Sequence, residues 1–205
     1  MVDRAFLEPL VREASRDVSV GLCGGKIYRL GSDRVFDSAG GRVDLWFGRA
    51  YGWGRGDVDR GQFERVRSVD YLGGSCVLVP RRVVERIGLL PTGYFMYYEE
   101  TDYATAARRA GFRNLYVPDS VIWHEAAHLN AAPDPTRLYW AFRAQVLFVR
   151  RYGSPLQRAV FFLYRMGLFL PAYALHLVLR NPRAARSFVR GLVAGWRAAR
   201  PAAPD

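Results

Sequence analysis

Three carboxylates, Glu99, Glu100 and Asp102, crowd the first turn of what reads as a helix, and an aromatic run (Tyr94, Phe95, Tyr97, Tyr98) leads straight into them. Aromatic faces beside clustered acids suit a sugar, because apolar ring faces stack and hydroxyls hydrogen-bond to carboxylates. A carboxylate there can act as general base on an acceptor hydroxyl. First-turn acids also have an ordinary use, since they complement the helix dipole. The helix runs roughly 18 Å at about 1.5 Å per residue, and five extended residues bring the chain back roughly 16 Å. The chain is therefore near the helix start again shortly before His124, which allows that imidazole to approach the acids.

Two other strings invite metal chemistry. His124-Glu-Ala-Ala-His128 is a literal H-E-x-x-H, which on a helix would place two imidazoles on one face for Zn²⁺ with Glu125 as base. The residues before it, Val117-Pro-Asp-Ser-Val-Ile-Trp123, read as a strand. The one remaining histidine, His176, lies in an apolar stretch, and the only later acids are Asp134 and Asp205, so a third ligand is scarce. Asp57-Val-Asp59 matches Asp-x-Asp but sits in a Gly-rich stretch and reads as a solvated loop. The Gly, Arg and aromatic residues of 40–61 also suit single-stranded RNA. Asp44, Asp57 and Asp59 interrupt that charge, and no nucleic-acid partner is expected.

The elements that must position these residues follow from periodicity. Residues 4–14 read as a helix with Asp3 as N-cap. Val18 to Tyr28 reads as a strand broken at Gly24-Gly25. Residues 40–61 suggest a hairpin and a long mobile loop. Residues 66–72 and 75–79 read as strands flanking Gly73-Gly74. Arg81 to Ile87 and Glu99 to Ala110 read as helices, the second ending in Arg108-Arg109. Residues 113–117 and 120–124 are extended on either side of a Pro118-Asp119 bend. After Pro135 three helical stretches follow: 136–152, 156–180 and 182–199.

The chain has 205 residues, half of them hydrophobic, and a net charge of +11. Wholesale disorder is excluded. Residues 137–200 hold twelve Arg and no acid, so the basicity belongs to the tail and the remainder nets −1. Ala159 to Leu179 is long enough to span a bilayer but is interrupted by Arg165, Pro171 and His176, which favours an interfacial or packed helix. In the last helix Phe188, Val189, Leu192, Val193 and Trp196 form an apolar stripe beside Arg183, Arg186, Arg190 and Arg197. That pattern fits insertion at an anionic membrane surface through residues 155–200. Two cysteines, Cys23 and Cys76, make no disulfide framework, and a cytosolic setting fits them.

The string Gly73-Gly-Ser-Cys-Val-Leu-Val-Pro-Arg-Arg, then Gly88-Leu-Leu-Pro, then Tyr97-Tyr-Glu-Glu-Thr-Asp102, then Tyr116-Val-Pro…His124 resembles, in order and spacing, the acceptor-side half of family 2 glycosyltransferases, especially the rhamnosyl- and galactofuranosyl-type enzymes. The resemblance covers about residues 2–150. It implies an α/β fold: an incomplete GT-A-like mixed sheet with flanking helices over residues 1–133, followed by a basic C-terminal helical appendage over 134–205. It implies that Glu100 stands where the family's catalytic base stands, usually an Asp, with Glu99 and Asp102 as flanking acids. Gly73 and Gly74 then line the sugar cleft, with Tyr97, Tyr98 and Trp123 as further substrate-binding residues. His124 matches a histidine that helps hold a divalent metal, Mg or Mn, on the donor diphosphate. The implied reaction is inverting transfer from a nucleotide-sugar to a lipid-linked or cell-envelope glycan, at the inner face of the cytoplasmic membrane. The family places a nucleotide-binding half of roughly a hundred residues before the point that Met1 matches. The expectation is a chain that lacks this donor half, is inactive and metal-free alone, and works with a separate donor-half polypeptide if one exists.

Overall fold

Gly24 and Gly25 do not break the first strand. In the computed structural model, which describes residues 1–32, 34–125 and 134–199, strand β1 (Val20–Arg29) runs through both glycines. It lies parallel to the long strand β7 (Arg113–His124), which is likewise unbroken at Pro118-Asp119. The register explains why both are possible. Gly25 pairs with Val117 and Lys26 with Val121, so Pro118 to Ser120 bulge out of register opposite one peptide of β1. A Cβ on Gly25 would sit 2.6 Å from the Ser120 carbonyl oxygen, so the missing side chain is what accommodates the bulge.

Around this pair the sheet is completed by β2 (Phe36–Ser38) and β6 (Val77–Leu78), both antiparallel to β1, and by β5 (Arg67–Val69), antiparallel to β7. The order is β2-β1-β7-β5, with β6 beside β1. Residues 66–72 and 75–79 are thus strands over shorter spans than their composition suggests. Of the residues outside those spans, Tyr71 and Ser75 line a cleft, while Leu72 and Cys76 enter the core. Val2 bridges Ile122, so the N-terminus pairs with the second half of β7. A separate hairpin joins β3 (Gly41–Asp44) and β4 (Arg49–Gly52), in the region expected to form one.

Helices cover both faces of the sheet. Helix α1 (Leu7–Arg16) packs Leu10 and Ala14 with Val20, Cys23, Ile27, Leu115 and Ile122. Asp3 does not cap it: its carboxylate accepts from the Ala5 amide at 2.8 Å and the helix begins at Leu7, one turn later than expected. On the other face, α2 (Arg81–Ile87) and α3 (Glu99–Arg109) bring Val83, Tyr103, Ala104 and Ala107 against Leu22, Tyr28, Leu72 and Tyr116. Buried side chains on both faces of one mixed sheet make this an α/β architecture.

The basic segment begins with α4 (Pro135–Tyr152), capped by Asp134, and continues through α5 (Pro155–Val160), a π-helical stretch (Phe161–Phe169), α6 (Leu170–Arg180) and α7 (Pro182–Arg197). The stretch 156–180 is therefore two α-helical pieces around a π-helix. Helix α7 lies along α4. A Cβ on Gly191 would run into the Tyr139 carbonyl, and one on Gly195 would stand 2.6 Å from the Arg143 carbonyl oxygen, so two glycines one turn apart set the close approach. The apolar stripe of α7 is divided there: Phe188 and Leu192 are buried in a cluster with Val146, Val149 and Phe161, while Val189, Val193 and Trp196 stay exposed.

Candidate active site

The sheet, the β3–β4 hairpin and the turn before α3 enclose a cleft of about 380 Å³, lined by Asp37, Ser38, Arg55, Tyr71, Gly73, Gly74, Ser75, Tyr97 and His124 among others. Its size lies within the range of small-ligand sites. Its floor is the Gly73-Gly74 turn between β5 and β6. Glu100 lies against that floor: a Cβ on Gly74 would be 3.5 Å from Glu100 Cγ. The Glu100 carboxyl is pushed up to about 7, first by burial and second by the neighbouring charge of Glu99. A carboxyl poised near neutrality beside a cleft is suited to exchange a proton there. One oxygen of Glu99, Oε2, is buried without a hydrogen-bond partner.

The turn that delivers Glu100 is strained. Phe95, Tyr97 and Tyr98 have φ of 70°, 66° and 69°, in the left-handed region that side-chain-bearing residues avoid. Each costs on the order of 1–3 kcal/mol and persists only where its surroundings hold it. Here α4 and the hairpin do so. Tyr98 donates to the Gly48 carbonyl at 2.6 Å and packs on Phe148, with ring centres 5.3 Å apart. Phe95 packs on Trp140 at 4.4 Å, and the Arg143 guanidinium donates to the Gly93 carbonyl at 2.8 Å. The Tyr94 hydroxyl donates to Asp102 at 2.5 Å.

Asp102 proves to be part of this scaffold and not of the cleft lining. It is 1% exposed. Its carboxylate accepts from Tyr94 and, at 2.7 Å, from the Tyr152 hydroxyl, and lies 3.3 Å from Arg151. Burial, opposed by these three partners, raises its pKa. It pins α3 to α4.

His124 ends β7 at the rim of the cleft, and its Nδ1 stands 2.9 Å from Asp37 of β2. These two are the ligand-type groups available for a divalent cation. No set of three His, Cys, Asp or Glu side chains comes together to hold one among the described residues. A metal cage is not completed by these residues, and no chemical step below runs through a metal. The H-E-x-x-H reading fails at its first residue, because His124 belongs to a strand; His128 lies outside the described residues.

The remaining site residues divide. Gly73, Gly74, Tyr97 and His124 line the cleft, whereas Glu100 is not a lining residue and lies behind it against Gly74. Tyr98 braces the turn. Trp123 packs beside Tyr28, ring centres 6.3 Å apart, and is not among the cleft-lining residues. Asp59 is not solvated: it pairs with the buried Lys26 at 3.1 Å and accepts from the Tyr28 hydroxyl, and Lys26 also pairs with Glu64. That clamp fastens the loop after the hairpin to β1. Sequence reasoning missed Asp37, Arg55, Tyr71 and Ser75. Arg55, flanked by Gly54 and Gly56, is exposed and forms no ion pair among the described residues, yet lies close enough to Tyr71 for its charge to act on that phenol. The Tyr71 phenol is held protonated by burial and by the charge of Glu100. A lone G-R-G and a Tyr two residues before Gly73 carry no pattern that distinguishes them from loop and core residues.

Comparison with known proteins places the same region. A family profile described as "Glycosyltransferase like family 2" matches residues 41–145, from the hairpin to the middle of α4. The N-acetylglucosaminyl-diphospho-decaprenol L-rhamnosyltransferase of Mycobacterium tuberculosis is 31% identical over 93 residues, 45% of this chain and 30% of that protein. The low-salt glycan biosynthesis hexosyltransferase of Haloferax volcanii is 32% identical over 92 residues, 45% of this chain and 28% of its own length. The chain thus spans about 30% of the length of the curated relatives it matches.

Proposed function

Starting from a chain that belongs to the family 2-like glycosyltransferases, we propose that its cleft receives the acceptor of an inverting sugar transfer and that Glu100 is the general base. Glu100 takes the proton of an acceptor hydroxyl. The freed oxygen attacks the anomeric carbon of a nucleotide-sugar, a new glycosidic bond forms, and the bond to the nucleoside diphosphate breaks. The observation that carries this reading is the Glu100 carboxyl set against Gly74 with its pKa near neutrality. Glu99 tunes it, Asp102 positions the helix that bears it, and Tyr97 and the Gly73-Gly74 backbone border the sugar. The guanidinium of Arg55 has no hydrogen-bond or ion-pair partner among the described residues and suits an anionic oxygen of the substrates. The relatives' names favour a glycan acceptor, lipid-linked in the mycobacterial case.

Nucleotide binding, on this reading, needs a donor half outside these 205 residues, in a longer chain or a separate polypeptide, and His124 with Asp37 would complete a metal site only with groups from that half. The setting is the cytoplasmic side of a membrane, touched peripherally through residues 155–200; no helix is long and apolar enough to cross one among the described residues. The test is a transfer assay with nucleoside-diphosphate rhamnose and hexoses and a prenyl-diphosphate-linked N-acetylglucosamine acceptor. It compares the 205-residue chain alone with the chain fused behind the nucleotide-binding half of a relative. The fusion is expected to transfer sugar, the chain alone is not, and Glu100→Gln is expected to lower kcat by about 10²–10⁴-fold. Transfer by the chain alone would refute the missing-half reading, and full activity of the fused Glu100→Gln variant would refute the assignment of the base.

A further inference from the structure

We propose that the outer side of the segment from Phe161 to Arg180, more exposed than the half-covered stripe of α7, is the surface that lies on an anionic lipid bilayer. This rests on the membrane part of the reading above and names the side chains that carry it. The segment is mostly apolar, interrupted by Arg165 and His176. Its inner side is used: Phe161 and Leu170 are buried, and Phe162, Tyr173 and Ala174 pack against the cluster that joins α4 to α7. Its outer side is uncovered. Leu163 is 74% exposed, Leu168 69%, Leu175 63% and Leu179 78%, with Val178 and Tyr164 beside them at 50% and 45%. Leu163 and Leu168 stand five residues apart, the hydrogen-bond interval of the π-helix they occupy. Leu168, Leu175 and Leu179 continue at spacings of seven and four, the interval at which helical side chains share a face.

Charge identifies the occupant. Arg180 ends the segment, and Arg183, Arg186 and Arg190 follow within three turns of α7. All four are exposed, and none forms an ion pair among the described residues. From residue 135 to residue 200 there is no acid to pair with them. An exposed leucine ridge continuous with unpaired arginines fits the acyl and phosphate layers of an anionic leaflet. No helix among the described residues is long and apolar enough to cross the bilayer, and the proposed contact lies in the plane of the interface.

Flotation of the full 205-residue chain with phosphatidylcholine vesicles, alone or mixed with phosphatidylglycerol, tests this. The protein is expected to float with the mixed vesicles and to be released by salt. Leu168→Glu combined with Leu175→Glu and Leu179→Glu is expected to weaken partition by about tenfold or more, while Val189→Glu with Val193→Glu changes it little. Melting curves of each variant confirm folding. A Leu175→Cys variant carrying an environment-sensitive fluorophore gives a second readout, since the native thiols Cys23 and Cys76 are buried; its emission is expected to shift to the blue on mixed vesicles. Wild-type binding that the ridge substitutions leave intact overturns the ridge and spares the membrane reading. A wild-type chain that stays with the soluble fraction overturns both. Dispersal by the ridge substitutions of a wild-type dimer that ignores vesicles assigns the ridge to a second copy of the chain.

Discussion

On the proposed reading, Glu100 concentrates the chemistry of this chain in one carboxyl. If it is the base, transfer by the fused enzyme rises with pH along a limb centred near 7, and the limb disappears in Glu100→Gln. Glu99 contributes to the upward shift, so Glu99→Gln moves the limb to lower pH; a pH–rate profile of both variants checks this. The same shift has a stability cost with a definite sign. The folded pKa lies above the ordinary 4.5, so the contribution of this group is intact below pH 4.5 and is lost as pH rises through 7. Replacement by Gln removes that loss. Thermal melts should show Glu100→Gln more stable than wild type by about 2 kcal/mol at pH 8 and equal to it at pH 4. Arg55, by contrast, forms no hydrogen bond or ion pair that holds the fold among the described residues. Arg55→Met should leave the melting temperature unchanged and raise the KM of the fused enzyme by about tenfold, consistent with loss of a charge-assisted contact. The acid cluster and His124 were legible from residue type and spacing, whereas Arg55, Asp37 and Tyr71 were not. They come from three different segments, and no local pattern ties them together.

At the scale of the elements, the turn before α3 depends on α4. Three left-handed aromatic residues cannot hold themselves, and their braces are Phe148, Trp140, Arg143, Arg151 and Tyr152 of one helix. Asp102→Asn leaves the Arg151 guanidinium, only 9% exposed, without its counter-charge. It should destabilise the fold by about 3 kcal/mol, measured by denaturant unfolding, and lower activity through the position of Glu100 and not through lost proton transfer. The pH limb of the surviving activity would then keep its midpoint. Helix and strand identities were legible from periodicity and caps. The continuity of β1 and β7 was not, because whether a glycine pair or a Pro-Asp breaks a strand depends on what faces it across the sheet.

For the whole molecule, the basic segment is fastened to the sheet domain as well as following it. Tyr94 and Tyr98 share a cluster with Ala144, Leu147, Phe148 and Tyr152, and α7 closes on α4 through Gly191 and Gly195. Gly191→Val drives a side chain into the Tyr139 carbonyl and should destabilise by about 2 kcal/mol or more, whereas Gly167→Val, where a Cβ meets nothing within 4 Å, should not; paired melts check the contrast. Removing residues 134–205 should abolish soluble, folded protein, because it uncovers Tyr94 and leaves Asp102 buried without two of its partners.

Sequence alone determined the family, the order of acids, glycines and histidine, and the split between a nearly neutral domain and an acid-free basic tail. Each of these is a property of residues near one another along the chain or of simple composition. Tertiary structure alone decided that Asp102 is a staple and Glu100 the poised carboxyl, that Asp59 pairs with the buried Lys26, and that α6 and its π-helical lead carry an exposed apolar face. The physical reason is common to all of these. Burial and pairing are set by partners tens of residues away, and two acids on one turn acquire opposite roles according to which of them the distant helix covers.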